Sequence, residues 1–131
     1  MHTINLTAAW DQIDLPDGGI VWSRQFGRPT GIEPPLQVWL VAEPALLDRM
    51  WLNGGRLDAT ANQGRRVLIT DRLTVHNRLL VPPAGLSAVE IAAIASDLVG
   101  GRLVSRRSAL PADLGRVMLA IVAANLDFRL P

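Results

Sequence analysis

The chain of 131 residues has no cysteine, no lysine and no tyrosine. Without cysteine there are no disulfides, no thiol nucleophile and no thiolate metal site, although the cellular compartment stays open on that ground. With no lysine, all 13 basic residues are arginines. They stand against 12 acidic ones, for a net charge of +1. They are scattered, and only Arg65-Arg66 and Arg106-Arg107 are adjacent. A phosphate-binding face shows a denser stripe, so no nucleic-acid partner is expected. Long hydrophobic runs are missing too. The most apolar stretch, around Ala92 to Ala95, is interrupted by Glu90, Ser96 and Asp97, short of the roughly 20 residues a spanning helix needs. Met1 to Leu6 has neither a basic region nor a long apolar region, unlike a secretory signal. The expectation is a cytoplasmic protein with no membrane partner.

What is present is ample for a core. Hydrophobic residues make up 49% of the chain and charged residues 19%, which argues against disorder. The length suits one domain over 1–131.

The first two thirds read as strands. Ile20, Trp22, Arg24 and Phe26 share one parity, with Val21, Ser23 and Gln25 on the other. Leu36, Val38, Leu40 and Ala42 alternate with Gln37, Trp39 and Val41. Met50 and Leu52 oppose Arg49 and Trp51, and Asn53-Gly54 then supplies a two-residue hairpin turn, since both tolerate positive φ. Residues 58–64 read as a polar loop. Val67 and Ile69 alternate with Arg66, Leu68 and Thr70, and Thr70-Asp71 reads as a turn. Asn77, Leu79 and Val81 form the next set, stopped by Pro82-Pro83.

The period then changes. Ser87 with Glu90 three residues on is a capping box, and Gly100-Gly101 is a stop signal, so a helix is expected over 87–99. Its apolar residues wrap most of the way round, which predicts a helix largely buried or lying in an interface. Residues 103–104 read as a short strand and 105–113 as a loop. Val117, Leu119 and Ile121 mark another strand, and Leu126, Phe128 and Leu130 a last one. Many short strands without βαβ alternation predict a mostly β, antiparallel sandwich.

The order of motifs from Trp10 to Val81 resembles the galactose-binding-domain-like jelly-roll β-sandwiches, including the sugar-binding accessory domain of family 2 glycoside hydrolases. Trp10, then Leu15-Pro16, then Arg24 and Phe26 follow that pattern. So do Val38 to Val41, the hairpin Met50 to Gly54, Ile69-Thr70-Asp71 and Asn77 to Val81. The resemblance ends at Pro82, where the helix-forming segment replaces the strands the family would use. It implies a non-enzymatic binding or accessory module with carbohydrate as ligand class. No sugar or calcium ligand set carries over, and fold alone does not transfer function.

Trp39 and Trp51 share the parity opposite the main apolar set. If their strands are neighbours, both indoles lie on one outer face near Leu80 and Met118. That face would be a stacking platform for a sugar, a self-association surface, or a seat for the helix, and the helix is the simplest reading. Arg24, Trp39 and Trp51 are therefore the candidate ligand-binding residues, with Arg24 also readable as a strand-bridging structural arginine.

Catalytic and metal readings are weaker. His76 with Asp71 and a serine would need triad geometry that spacing cannot supply, and His76 reads more simply as a turn residue. Asp11, Asp14 and Asp17 lack the EF-hand pattern and read as a solvated loop in preference to a calcium site. Glu33 and Glu43 each sit by a proline at a strand end, without the cleft that paired glycosidase carboxylates use. No enzyme activity, no metal and no cofactor are expected. A carbohydrate or a second copy of the chain is the expected partner.

Overall fold

The structure is a computed structural model that describes residues 2–57, 65–103 and 105–124. The protein is mostly β. Ten strands are described: β1 (His2–Asn5), β2 (Trp10–Asp14), β3 (Ile20–Gly27), β4 (Leu36–Val41), β5 (Trp51–Leu52), β6 (Gly55–Arg56), β7 (Arg66–Leu68), β8 (His76–Val81), β9 (Ser105–Ser108) and β10 (Met118–Ala123). Two helices join them, a single-turn α1 (Pro44–Leu47) and α2 (Ala88–Val99). The strands form two antiparallel sheets, a four-stranded one in the order β1-β10-β4-β7 and a six-stranded one in the order β6-β5-β8-β3-β2-β9.

Alternation along the strands makes the sandwich. Val38 and Leu40 of β4, Val67 of β7 and Leu119 of β10 face Leu52 of β5 and Leu79 and Val81 of β8 in one buried cluster. Trp10, Leu47 and Met50 complete it, and Trp22 and Phe26 pack against it. Trp10 is fully buried, and its Nε1 donates to the Leu6 carbonyl at 2.6 Å, so its polar handle is satisfied inside the core.

The Asn53-Gly54 turn has the expected geometry, with φ of 51° and 85°. Positive φ at both central residues matches the twist of the two strands it joins. Thr70–Arg72 is a 3-10 turn. At α2, Ser87 Oγ accepts from Glu90 N and Glu90 Oε1 accepts from Ser87 N, both at 3.2 Å. At its other end Gly101 N donates to the Leu98 carbonyl and Arg102 N to the Asp97 carbonyl, with Gly101 at φ 69°. This is a Schellman closure, in which glycine takes the left-handed position without a Cβ penalty.

The described residues correct four readings of the sequence. First, α2 is not largely buried: only Ile91 is, while Val89 and Val99 are each 80% exposed. One stripe, with Ile94, Ala95 and Leu98, seats it on Ile13, Val21 and Leu80 of the six-stranded sheet. Second, 105–113 is not all loop. Ser105–Ser108 is the edge strand β9, paired to β2 through Trp10↔Ser108 and Asp11↔Arg107. It lacks apolar alternation because it lies at the rim and is held by backbone bonds and charge pairs. Third, Asp11 and Asp14 are not loop residues. They lie on β2 and face Arg107 at 3.1 Å and Arg106 at 3.5 Å. Fourth, His76 is the first residue of β8 and not part of a turn. Leu103 is in a bend that packs against the α2 cluster. The polar loop over 58–64, residue 104 and the strand expected at 126–130 lie outside the described residues.

Candidate functional site

The register between β3 and β8 builds a concavity on the outer face of the six-stranded sheet. Trp22 pairs with Val81, Ser23 with Leu80, Gln25 with Arg78 and Gly27 with His76. Asn77, Leu79 and Val81 point into the sandwich, so His76, Arg78 and Leu80 point out, beside Ser23 and Gln25. The outer face is thus divided. Toward Val21 and Leu80 it is apolar and α2 packs on it. Toward Gln25, Arg78 and His76 it is polar and the helix does not close it. The gap between is a cleft of about 720 Å³.

Its floor is Leu80, Arg78 and Gln25, and one wall is Ala95, Ser96 and Val99 from the second half of α2. Phe26, His76 and the Asn53-Gly54 turn complete the rim. A volume in this range suits a small organic ligand.

Two asparagines fix the rim. Asn53 Nδ2 donates to Asn77 Oδ1 at 2.9 Å and to the Arg72 carbonyl at 3.1 Å, while Asn53 Oδ1 accepts from Arg78 N at 2.9 Å. Asn77, only 2% exposed, accepts from Thr74 N at 2.8 Å and donates to the Thr74 and Phe26 carbonyls. Both side-chain amides are consumed by the fold. The groups left to meet a ligand are the Gln25 amide, the His76 imidazole, the Ser96 hydroxyl and the Arg78 guanidinium. Arg78 Nη1 donates to Ser23 Oγ at 2.8 Å, and Ser23 is fully buried. Among the described residues that line the cleft there is no carboxylate.

The residues singled out in the sequence are not brought together. Trp39 is on β4 in the four-stranded sheet and Trp51 on β5 in the six-stranded one. They lie on opposite outer faces of the sandwich and do not form one platform, because their strands are not neighbours. Trp51 is half-buried in the cluster beneath α2. Trp39 packs with Val41, Met118, Ala120 and Val122, with the Arg66 guanidinium 4.8 Å from its ring centre, a cation–π arrangement. Arg24 shares the parity of Trp22 and so points away from the cleft. Its Nε donates to the Ala8 carbonyl at 2.8 Å and an Nη to the Gln25 carbonyl. Burial, then the nearby Arg107, lower its pKa, and Asp11 partly opposes them. These bonds tie β3 to the segment before β2.

Glu43 is paired with Arg65 at 2.8 Å. Glu33 and Asp71 are exposed and do not line the cleft. Among the described residues, no group of three His, Asp or Glu could hold a metal ion. No helix among them is long and apolar enough to cross a membrane.

Sequence reasoning passed over Gln25 and Arg78. The signal was there: on the parity opposite the core, Val21 and Leu80 are apolar but Ser23, Gln25, His76 and Arg78 are polar. A face that changes character partway along two strands marks where its cover ends. Comparison with known proteins leaves the site to speak for itself: no family model, no curated protein and no solved structure matches this chain.

Proposed function

We propose that this protein is a non-catalytic binding module of the galactose-binding-like jelly-roll type, and that its ligand site is the cleft between α2 and the β3–β8 face. The observation that carries the reading is the divided face, an apolar floor at Leu80 beside polar groups at Gln25, Arg78, His76 and Ser96. A ring with hydroxyl substituents suits that mixture, and carbohydrate is the ligand class that the order of motifs from Trp10 to Val81 implies. Two facing antiparallel sheets are compatible with that fold type. The test is ligand-observed NMR with a panel of neutral and acidic mono- and disaccharides, followed by amide shifts on labelled protein. Saturable shifts at Gly27, Gly54 and Ser96 are expected. A folded protein that responds to no sugar in the panel would remove carbohydrate as the ligand class.

A second reading, a structural protein that self-associates, is favoured by one observation: Val89 on the outer side of α2 is 80% exposed. In this reading the helix, and not a shared Trp39 and Trp51 face, is the contact surface. Light scattering on wild type, Val89→Glu and Trp39→Ala separates the possibilities. A dimer dispersed by Val89→Glu alone supports the helix surface, and a monomer throughout removes it.

A further inference from the structure

We infer that the cleft selects a ligand bearing a single carboxylate on a partly apolar body, with Arg78 as the binding residue and Ser23 as the residue that positions it. This rests on the reading of the cleft as a ligand site.

The charge balance points there first. Arg65, Arg102, Arg106 and Arg107 each face a carboxylate. Arg78, like Arg24, Arg28, Arg49, Arg56, Arg72 and Arg116, makes no ion pair among the described residues, but of these it alone lines the cleft, where its guanidinium has the Ser23 hydroxyl. It is half-buried on the cleft floor, within reach of a ligand that enters the cleft. Among the described residues, no carboxylate lines the cleft to repel an anion.

Geometry narrows the class. A guanidinium is a planar fork that matches a carboxylate with two parallel hydrogen bonds. Ser23 Oγ holds Nη1 from below at 2.8 Å, and a held fork loses less freedom on binding. Gln25 stands directly opposite Arg78 in the register, placing an amide beside the same anion.

Phosphate fits less well. It prefers several cations or a cluster of backbone N–H groups such as a helix N-terminus. Here, among the described residues, one arginine lines the cleft, and the wall comes from the C-terminal half of α2, at Ala95, Ser96 and Val99. That end carries the negative pole of the helix, which opposes any anion and a dianion about twice as strongly as a carboxylate. Leu80, Ala95 and Val99 are left for the apolar body.

The experiment uses three probes on labelled protein: phenylacetate, its neutral analogue phenylacetamide, and inorganic phosphate. The readout is the amide shifts of Gly27, Gly54 and Ser96. Phenylacetate is expected to bind about tenfold more tightly than phenylacetamide, as one charge-assisted pair would give. That ratio should fall to about one in Arg78→Gln and to an intermediate value in Ser23→Ala, a change that a purely structural role for Ser23 would not produce. Equal affinity for acid and amide in the wild type overturns the carboxylate while leaving the cleft a ligand site. Phosphate binding as tightly as phenylacetate overturns the planar selection. No shift at the cleft with any probe overturns this inference, while the cleft reading stands or falls with the sugar panel. The wild-type comparison needs no variant, so it stands even where Arg78→Gln folds poorly.

Discussion

Asn53 donates to Asn77 across 2.9 Å, and this one amide–amide bond joins the tip of the β5–β6 hairpin to the start of β8. Arg78 follows Asn77 directly, and its backbone N–H donates to Asn53 Oδ1. The rim of the cleft and the residue on its floor are therefore held by the same pair.

Asn77→Ala should lower stability by about 2–4 kcal/mol, because it leaves the Thr74 N–H and the Phe26 carbonyl without the partner that the buried Asn77 amide supplies. Asn53→Gly keeps the left-handed backbone and loses only the side-chain bonds, at a cost of about 1 kcal/mol. Asn53→Ala adds about 1–2 kcal/mol for the positive φ. Urea unfolding of the three variants checks the order. A cost for Asn77→Ala no larger than for Asn53→Gly would contradict it.

Trp10→Phe should cost about 1–3 kcal/mol by orphaning the Leu6 carbonyl that now accepts from the indole. Trp10→Ala should cost about 3–5 kcal/mol, since a cavity is added. Thermal melts followed by circular dichroism measure both, and a Trp10→Phe protein as stable as wild type would show that the indole bond contributes nothing.

The exposure of α2 makes a paired prediction. Val89→Glu, at a site 80% exposed, should change stability by no more than about 0.5 kcal/mol. Ile91→Ala, at 5% exposure, should cost about 2–4 kcal/mol. Ser87→Ala removes the cap bond to Glu90 N and should cost about 1 kcal/mol. Equal effects at Val89 and Ile91 would mean that both sides of the helix are covered.

At the sheet edge, Arg106 and Arg107 face Asp14 and Asp11 with arginine side chains 65% and 69% exposed. Each pair is worth at most about 1 kcal/mol, so Arg106→Gln should barely shift the melt. Replacing both arginines with valine should leave the monomer folded but raise light scattering at high concentration, since charge on an edge strand blocks pairing with other chains. No rise in scattering would show that the edge is already protected without them.

β4, β8 and β10 were readable in the sequence as apolar runs between turn residues, although β10 is buried on both faces, with Leu119 in the core and Ala120 and Val122 beside Trp39, and the Asn53-Gly54 turn and the capping box of α2 announce themselves. β2 was not, for a physical reason. Trp10 enters the core between the sheets while Ile13 joins the cluster under α2. Both faces of the strand are buried, so its apolar residues stand three apart instead of two. β9 carries only serine and arginine, because an edge strand needs backbone partners more than apolar ones. Parity along a strand was right for both Trp39 and Trp51, yet parity says nothing about which sheet a strand joins. That is settled by pairings between distant segments, such as Trp39↔Leu68 and Trp51↔Leu80. The cleft was missed for the same reason, since Gln25 and Arg78 become neighbours only through the β3–β8 register.

The position of β10 between β1 and β4 constrains the order of events during synthesis. As the chain leaves the ribosome, β1 and β4 both emerge long before the strand that joins them. Until Met118–Ala123 arrives, the core side of β4, with Val38 and Leu40, has no complete sheet around it, and β1 has no partner. Pairings this distant along the chain form late and slowly. The nascent protein therefore exposes an apolar strand until Met118–Ala123 has emerged, and this half of the sandwich closes only then.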